Sequence, residues 1–171
     1  MIYEQGNLLE SFKNNNFTAI AHQCNLVTTD VAGIAKVIFN EFPNANKPGI
    51  LNNISNFGNY AITKTEYGDI INLYSQYYPG SPTFKFINDS LVRDDFTTRL
   101  RALRFTLSNY KKSCFVHEKV VLGIPLLASG LAADHSKKLS KMTDLDYFRL
   151  YIEPIVKTVE SENFIIKIMY L

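Results

Sequence analysis

The sequence predicts an α/β layer fold. Apolar runs bounded by turn residues alternate with helical patterns, one run is apolar enough for a strand buried on both faces, and no repeat or low-complexity linker divides the chain. The first run is residues 1–4, broken by Gly6-Asn7. Residues 17–22 form a short strand that turns polar at Gln23 to Asn25. Ile34, Ile38 and Phe42 recur every four residues, with Ala35 on the same face, and predict a helix over 31–42. Asp30 is placed to cap that helix and Pro43 to close it. The segment 44–59 is rich in Asn, Gly and Pro and reads as irregular. Residues 60–65 and 69–74 predict an antiparallel pair turning at Tyr67-Gly68-Asp69, stopped by Pro79-Gly80-Ser81-Pro82.

A long helix over 94–111 comes next, with Phe96, Leu100, Leu103, Leu107 and Tyr110 on one stripe. Residues 119–125 are nearly all apolar, as in a central strand covered on both faces. Phe148, Ile152, Ile155 and Val159 mark a last helix, which Pro154 kinks or delays. Residues 164–170 are the terminal strand. The order β-β-α-β-β-α-β-α-β gives a mixed sheet with helices packed on it.

At 171 residues the chain has the size of one domain, 1–171, long enough to bury roughly 70% of its unfolded surface. Its 46% hydrophobic and 20% charged residues match a folded rather than a disordered segment. Net charge is +2, and basic residues are scattered apart from Lys111-Lys112 and Lys137-Lys138, so no strong nucleic-acid or membrane-surface signature is present. Cys24 and Cys114 stand in no metal-ligand or redox spacing, and the chain reads as cytoplasmic (host cytoplasm if phage-encoded). No signal peptide is evident at the N-terminus, and no run approaches the ~18 apolar residues of a membrane span. None of these features specifies an oligomer.

Two segments stand out for chemistry. Ala21-His22-Gln23-Cys24-Asn25 ends a buried strand, and Val31-Ala32-Gly33-Ile34-Ala35-Lys36 opens a helix soon after. Gly123-Ile124-Pro125-Leu126-Leu127 ends another strand, with the small-residue loop Ala128-Ser129-Gly130-Leu131-Ala132-Ala133 beyond it. In open α/β sheets ligands sit outside the carboxyl ends of strands. Small residues there let backbone N–H groups approach an anion, and a helix N-terminus adds partial positive charge. Two such loops side by side suit a diphosphate. Small residues also simply permit tight turns, so spacing alone leaves both explanations open.

Gly6-Asn7-Leu8-Leu9, the 21–25 segment, Gly33-Ile34-Ala35-Lys36, Asn72-Leu73-Tyr74-Ser75-Gln76 and the 125–131 segment together, in this order, resemble the macro domain family. The resemblance is strongest to its phage and bacterial branch and the ADP-ribose-1''-phosphate phosphatases, where the first-loop strand ends in His-x-Cys-Asn. It spans essentially the whole chain. It implies a macro domain-like three-layer α/β/α sandwich with a mixed central sheet, and an ADP-ribose-like small molecule as ligand. No cofactor and no metal are expected.

The resemblance also implies site residues. Asn7, beside Leu8, stands where the family has an Asp that accepts from the adenine amino group; its amide carbonyl can still accept, while a turn-forming Asn after Gly reads equally well. Asn25 matches the family Asn that contacts the distal ribose, and a strand-terminal loop cap is the alternative. Ala32, Gly33, Ile34 and Ala35 match the loop that passes close to the phosphates, with Asp30-Val31-Ala32 replacing the usual glycine-containing approach. Ala128, Ser129, Gly130 and Leu131 match the second diphosphate loop, with Ala128 in place of a usual Gly. Tyr170 matches an aromatic that covers adenine, or is ordinary core. His22 is the candidate general acid or base, although a histidine ending a buried strand is more often structural. Asp134, next to His135, is the second catalytic candidate or a helix cap, and residues 136–143 read as a lid or rim. Ser75-Gln76 stand where lysine-nucleophile ADP-ribosyl hydrolases carry their Lys, so that covalent mechanism is not expected.

These residues admit three functions. The leading one is a metal-independent hydrolase acting on the distal ribose of an ADP-ribose derivative, as an ADP-ribose-1''-phosphate phosphatase or an ADP-ribosyl hydrolase. The second is a non-catalytic module that senses or sequesters ADP-ribose or an NAD-derived nucleotide signal. The third is an interaction protein with a degenerate cleft.

Overall fold

Alternation of side chains along the buried strands divides the core in two. Ile20 and Ile70 point to one face, with Leu8, Leu9, Phe12, Phe17 and Ile38. Ala19, Ala21, Ile71 and Leu73 point to the other, with Leu103, Leu107, Tyr110, Phe148, Ile152 and Val156. A computed structural model of the protein describes residues 1–29, 31–87, 90–114, 118–128, 133 and 135–171; at 85–87, 90, 135, 136 and 138 it describes the backbone alone.

The strands are β1 (Ile2–Gln5), β2 (Ala19–Gln23), β3 (Tyr60–Thr65), β4 (Gly68–Leu73), β5 (Thr83–Ile87), β6 (Ser90–Asp94), β7 (Val120–Pro125) and β8 (Phe164–Tyr170). The helices are α1 (Leu8–Lys13), α2 (Gly33–Glu41), α3 (Phe96–Ser113), α4 (His135–Ser140), α5 (Asp144–Tyr147) and α6 (Glu153–Lys157). Six strands form one sheet in the order β1-β8-β7-β2-β4-β3, and β5 pairs with β6 in a separate hairpin. All neighbours in the large sheet are parallel except the β3–β4 edge. Helices α1 and α2 cover one face; α3 and the C-terminal helical segment cover the other. The three-layer α/β/α sandwich with a mixed sheet is therefore present. Among the described residues, no helix is long and apolar enough to cross a membrane.

Several expected elements shift or gain neighbours. Helix α2 starts at Gly33 with Ala32 as its N-cap, not at residue 31; Asp30, expected to cap it, lies outside the described residues. Helix α3 begins two residues later than expected because Asp95 caps it, its Oδ1 accepting from Thr98 N at 2.9 Å. Helix α1 has only six residues and forms between Gly6 and the Asn14–Asn16 turn, with Leu8, Leu9 and Phe12 on its buried side. Helix α1, the β5–β6 hairpin and α4 are additions to the expected order. Pro154 acts at the turn before it: residues Phe148–Ile152 open into a π-helical turn, and α6 resumes with the proline in its first turn. A proline lacks the N–H for the ladder and crowds the carbonyl four residues back, so the turn widens.

Two glycines set how closely the layers approach. A Cβ on Gly123, in β7, would lie 2.7 Å from Cδ2 of Phe17. A Cβ on Gly68 would lie 2.3 Å from the Thr18 carbonyl oxygen, and Gly68 also has φ +133°. Gly123→Ala is expected to destabilise the fold by about 1–3 kcal/mol through overpacking. Gly68→Ala is expected to cost more than Gly123→Ala, since backbone rather than a ring must move. Urea denaturation of the two variants checks the order.

Candidate ligand-binding site

The parallel strands β1, β8, β7, β2 and β4 all end on one edge of the sheet, and a cleft of about 1010 Å³ opens there. The segments that leave the carboxyl ends of these strands build its wall.

After β1, Gly6 has φ +153° and donates its N–H to the Tyr170 carbonyl at 2.9 Å, tying β1 to the end of β8. Asn7 then caps α1: its Oδ1 accepts from Leu9 N at 2.9 Å and Glu10 N at 3.2 Å. Both lone pairs of that oxygen are thereby engaged, which leaves the Nδ2 group as the donor Asn7 can turn to a ligand. Asn7, Leu8 and Tyr170 all line the cleft.

After β2, the chain stays pinned to its neighbours, with Cys24 N donating to Leu73 O at 2.8 Å and Leu26 N to Tyr77 O at 3.1 Å. Asn25 closes its own loop, Oδ1 accepting from Val27 N and Thr28 N at 2.9 Å each. It also lines the cleft, with Ala32, Gly33, Ile34 and Ala35. Gly33 opens α2 at φ +57°, and a Cβ there would meet nothing within 4 Å. Glycine adopts that backbone angle without strain, and it leaves the peptide bare. Ala32 offers the helix no side-chain cap, and the first turn of α2 has no acidic residue. The first N–H groups of a helix have no partner inside it, so this end of α2 presents donors and partial positive charge to the cleft.

After β7, Leu127 N donates to Pro125 O at 2.7 Å, and Ala128 takes φ +57°. Ala128 thus adopts the backbone angle that glycine supplies freely, at a cost of about 1–2 kcal/mol. Ala128 lines the cleft; Ser129, Gly130 and Leu131 lie outside the described residues, as does Asp134. Of the expected rim at 136–143, residues 135–140 are α4, and Thr143 to Leu145, at the start of α5, line the cleft.

His22 is not among the cleft-lining residues. It is fully buried, with Nε2 2.8 Å from Asn72 Oδ1, and its ring packs edge-on against Phe39 at 5.2 Å. Asn72 Nδ2 donates to Ala45 O at 2.7 Å, so its Oδ1 faces the histidine and Nε2 carries the proton. Burial lowers the His22 pKa to about 4, so the ring is neutral at pH 7. Burial pushes the neighbouring Cys24 thiol up, away from thiolate chemistry.

Another part of the cleft wall depends on residues that the sequence patterns did not single out. Asp94 and Arg99 form a fully buried pair, with Nε donating to Oδ1 at 2.9 Å. The Asp94 carboxylate also accepts from Tyr77 N and Tyr78 N at 2.9 Å, and Arg99 donates to the carbonyls of Tyr78, Gly80 and Ser81. This pair fastens the backbone of the loop that brings Pro79 and Gly80 to the cleft. An arginine three residues after Phe96, on the apolar stripe of a helix, was the available signal.

Comparison with known proteins identifies the fold. No model of a known protein family matches the sequence, and no curated protein matches it at a significant score. Solved structures do match. A Bacteroides thetaiotaomicron protein shares the fold at TM-score 0.67 and 15% identity, covering 100% of this chain and 99% of its own. The macrodomain of Mycobacterium tuberculosis DarG matches at TM-score 0.61 and 14% identity, over 97% of this chain and 95% of that one. Thermosipho africanus DarTG, solved in complex with ADP-ribose, matches at TM-score 0.58 and 16% identity, over 100% of this chain and 42% of that one. The chain has the macrodomain fold.

Two outcomes are expected. The unfolded chain binds a proton at His22 near pH 6.5 and the folded chain only near pH 4, so stability is complete above that window and falls as pH drops through it. The loss from this one group is roughly 3 kcal/mol between pH 6.5 and 4. Urea titrations across that range should show a shallower slope in a His22→Gln variant. Arg99→Ala leaves Asp94 buried without its partner and should cost about 3–5 kcal/mol, measured the same way.

Proposed function

We propose that the protein binds ADP-ribose or a derivative of it in the cleft. The observation that carries this reading is the uncapped N-terminus of α2, with bare peptide at Gly33, set in the same cleft as the left-handed turn at Ala128. Those two backbone segments supply N–H donors to a diphosphate lying between them. The base lies toward the β1–β8 end, where Asn7 Nδ2 is the available donor and Tyr170 the available ring, and the distal sugar toward Asn25. The solved complex of the Thermosipho protein with ADP-ribose supports the ligand class.

Recognition is the function this geometry supports best. Hydrolysis at the distal ribose needs a group that moves a proton at the cleft. His22 does not meet that requirement, being sealed from the cleft with Nε2 held by Asn72, and Asp134 lies outside the described residues. The burial of His22 therefore favours a module that senses or sequesters the ligand over a hydrolase that uses His22.

Calorimetry with ADP-ribose tests the reading, with saturable binding expected. Ala32→Asp sharpens it. An aspartate at an N-cap stabilises a helix by about 1 kcal/mol relative to alanine, while its charge competes for the α2 amides and repels phosphate. The expected result is a higher melting temperature with affinity reduced roughly tenfold or more. Unchanged affinity in a stabilised Ala32→Asp variant would show that α2 does not hold the ligand's phosphates.

A further inference from the structure

Helix α3 divides its charges between two sides. Arg99 turns inward to the buried Asp94. Arg101, Arg104, Phe105 and Lys112 are exposed, Phe105 by 57%. Their spacing, with Ser108 between, puts them on one stripe of the helix. Cations scattered in the sequence are thus gathered by the helical period. None of these four residues lines the cleft.

The fold does not answer these charges. Among the described residues, no ion pair includes Arg101, Arg104 or Lys112. The 18 residues of α3 include no Asp or Glu. Segment 42–59 has none either, and it meets the stripe at Gly58, where a Cβ would lie 3.5 Å from Cδ1 of Phe105. Asn59, next to Gly58, donates its Nδ2 to the Ser55 carbonyl at 3.0 Å, and Asn53, Ser55 and Asn59 are all exposed. Acids stand at the two ends of the helix, with Asp95 at its N-cap and Asp69 and Glu118 beside Cys114. Like charges three residues apart disfavour a helix, so Arg101 and Arg104 do not serve the stability of α3.

We propose that the outer face of α3 binds a single-stranded nucleic acid. The arginine forks hold phosphates through charge-assisted hydrogen bonds. The Phe105 ring, resting against Gly58, offers its free side for an unpaired base to stack on. The exposed amides and hydroxyl beside it suit phosphate and sugar oxygens. An acidic peptide would answer the arginines and leave the ring without a stacking partner. A duplex keeps its bases stacked on one another and leaves it unused as well. The face lies outside the cleft, so the assignment stands apart from the ligand proposed there.

Fluorescence anisotropy tests it, with labelled oligothymidylate, oligouridylate, a duplex of the same length and polyglutamate, over a range of salt concentrations. Contacts from three cations give single-strand binding a log–log salt slope of about −2. In an Arg101→Gln/Arg104→Gln variant the slope should flatten to about −0.7, with affinity at low salt reduced roughly tenfold or more. Phe105→Ala should weaken binding roughly fivefold or more and leave the slope unchanged. All three side chains are exposed, so melting temperatures should hold. The tighter of the two oligonucleotides identifies the source as DNA or RNA. No binding of either, or binding that the arginine variant leaves unchanged, would overturn the proposal. Polyglutamate bound as tightly as the oligonucleotides would give the face to an acidic protein instead. Duplex bound equally well, with Phe105→Ala without effect, would remove the single-strand assignment.

Discussion

Strand β2 has a parallel neighbour on each side, β4 and β7, and helices over both faces. A one-residue slip would send Ile20 to the face of Ala19 and Ala21, so its register is fixed by packing as well as by hydrogen bonds. The geometry of the cleft depends on that constraint. Because β2, β4 and β7 cannot slide, the residues immediately after them arrive at set positions on one edge of the sheet. Gly123 lets β7 come close beneath Phe17, and Gly68 lets the β3–β4 turn meet Thr18. The rigid centre is thus assembled by small residues, and the loops inherit its precision.

Many polar groups of the fold are matched closely. Asn7, Asp95 and Thr143 cap α1, α3 and α5 with side-chain oxygens. Asp94 and Arg99, both taken out of water, satisfy each other and the backbone of the loop from Tyr77 to Ser81. His22 and Asn72 form a closed chain to the Ala45 carbonyl. At the cleft, α2 has no side-chain cap and Ala128 holds a left-handed backbone angle.

Much of the layer architecture was legible in the sequence. The 120–125 and 164–170 strands are long apolar runs, and the β3–β4 hairpin has its glycine at the turn, so period and turn chemistry agreed with the final fold. The short elements were not legible. Helix α1 is too brief for a periodic signal, and the β5–β6 hairpin comes after a Pro-Gly-Ser-Pro segment that reads as a stop. At the site, the motif positions Asn7, Asn25, Gly33, Ala128 and Tyr170 do line one cleft. Sequence alone does not disclose which way a polar side chain faces. His22, adjacent to cleft residues in sequence, alternates inward along β2 and is sealed, whereas Gln23, its neighbour, reaches the cleft. Asp94 and Arg99 act only once the hairpin brings the 77–81 loop back to them.

The proposed function gives the backbone amides at the start of α2 and at the turn after β7 the role of holding a diphosphate. Amide chemical-shift mapping by NMR during titration with ADP-ribose tests that assignment most directly. The largest shifts are expected on Gly33, Ile34 and Ala35 and on Ala128, with smaller ones toward Asn7. Saturable binding whose shifts fall elsewhere on the molecule, leaving those amides unmoved, would contradict it.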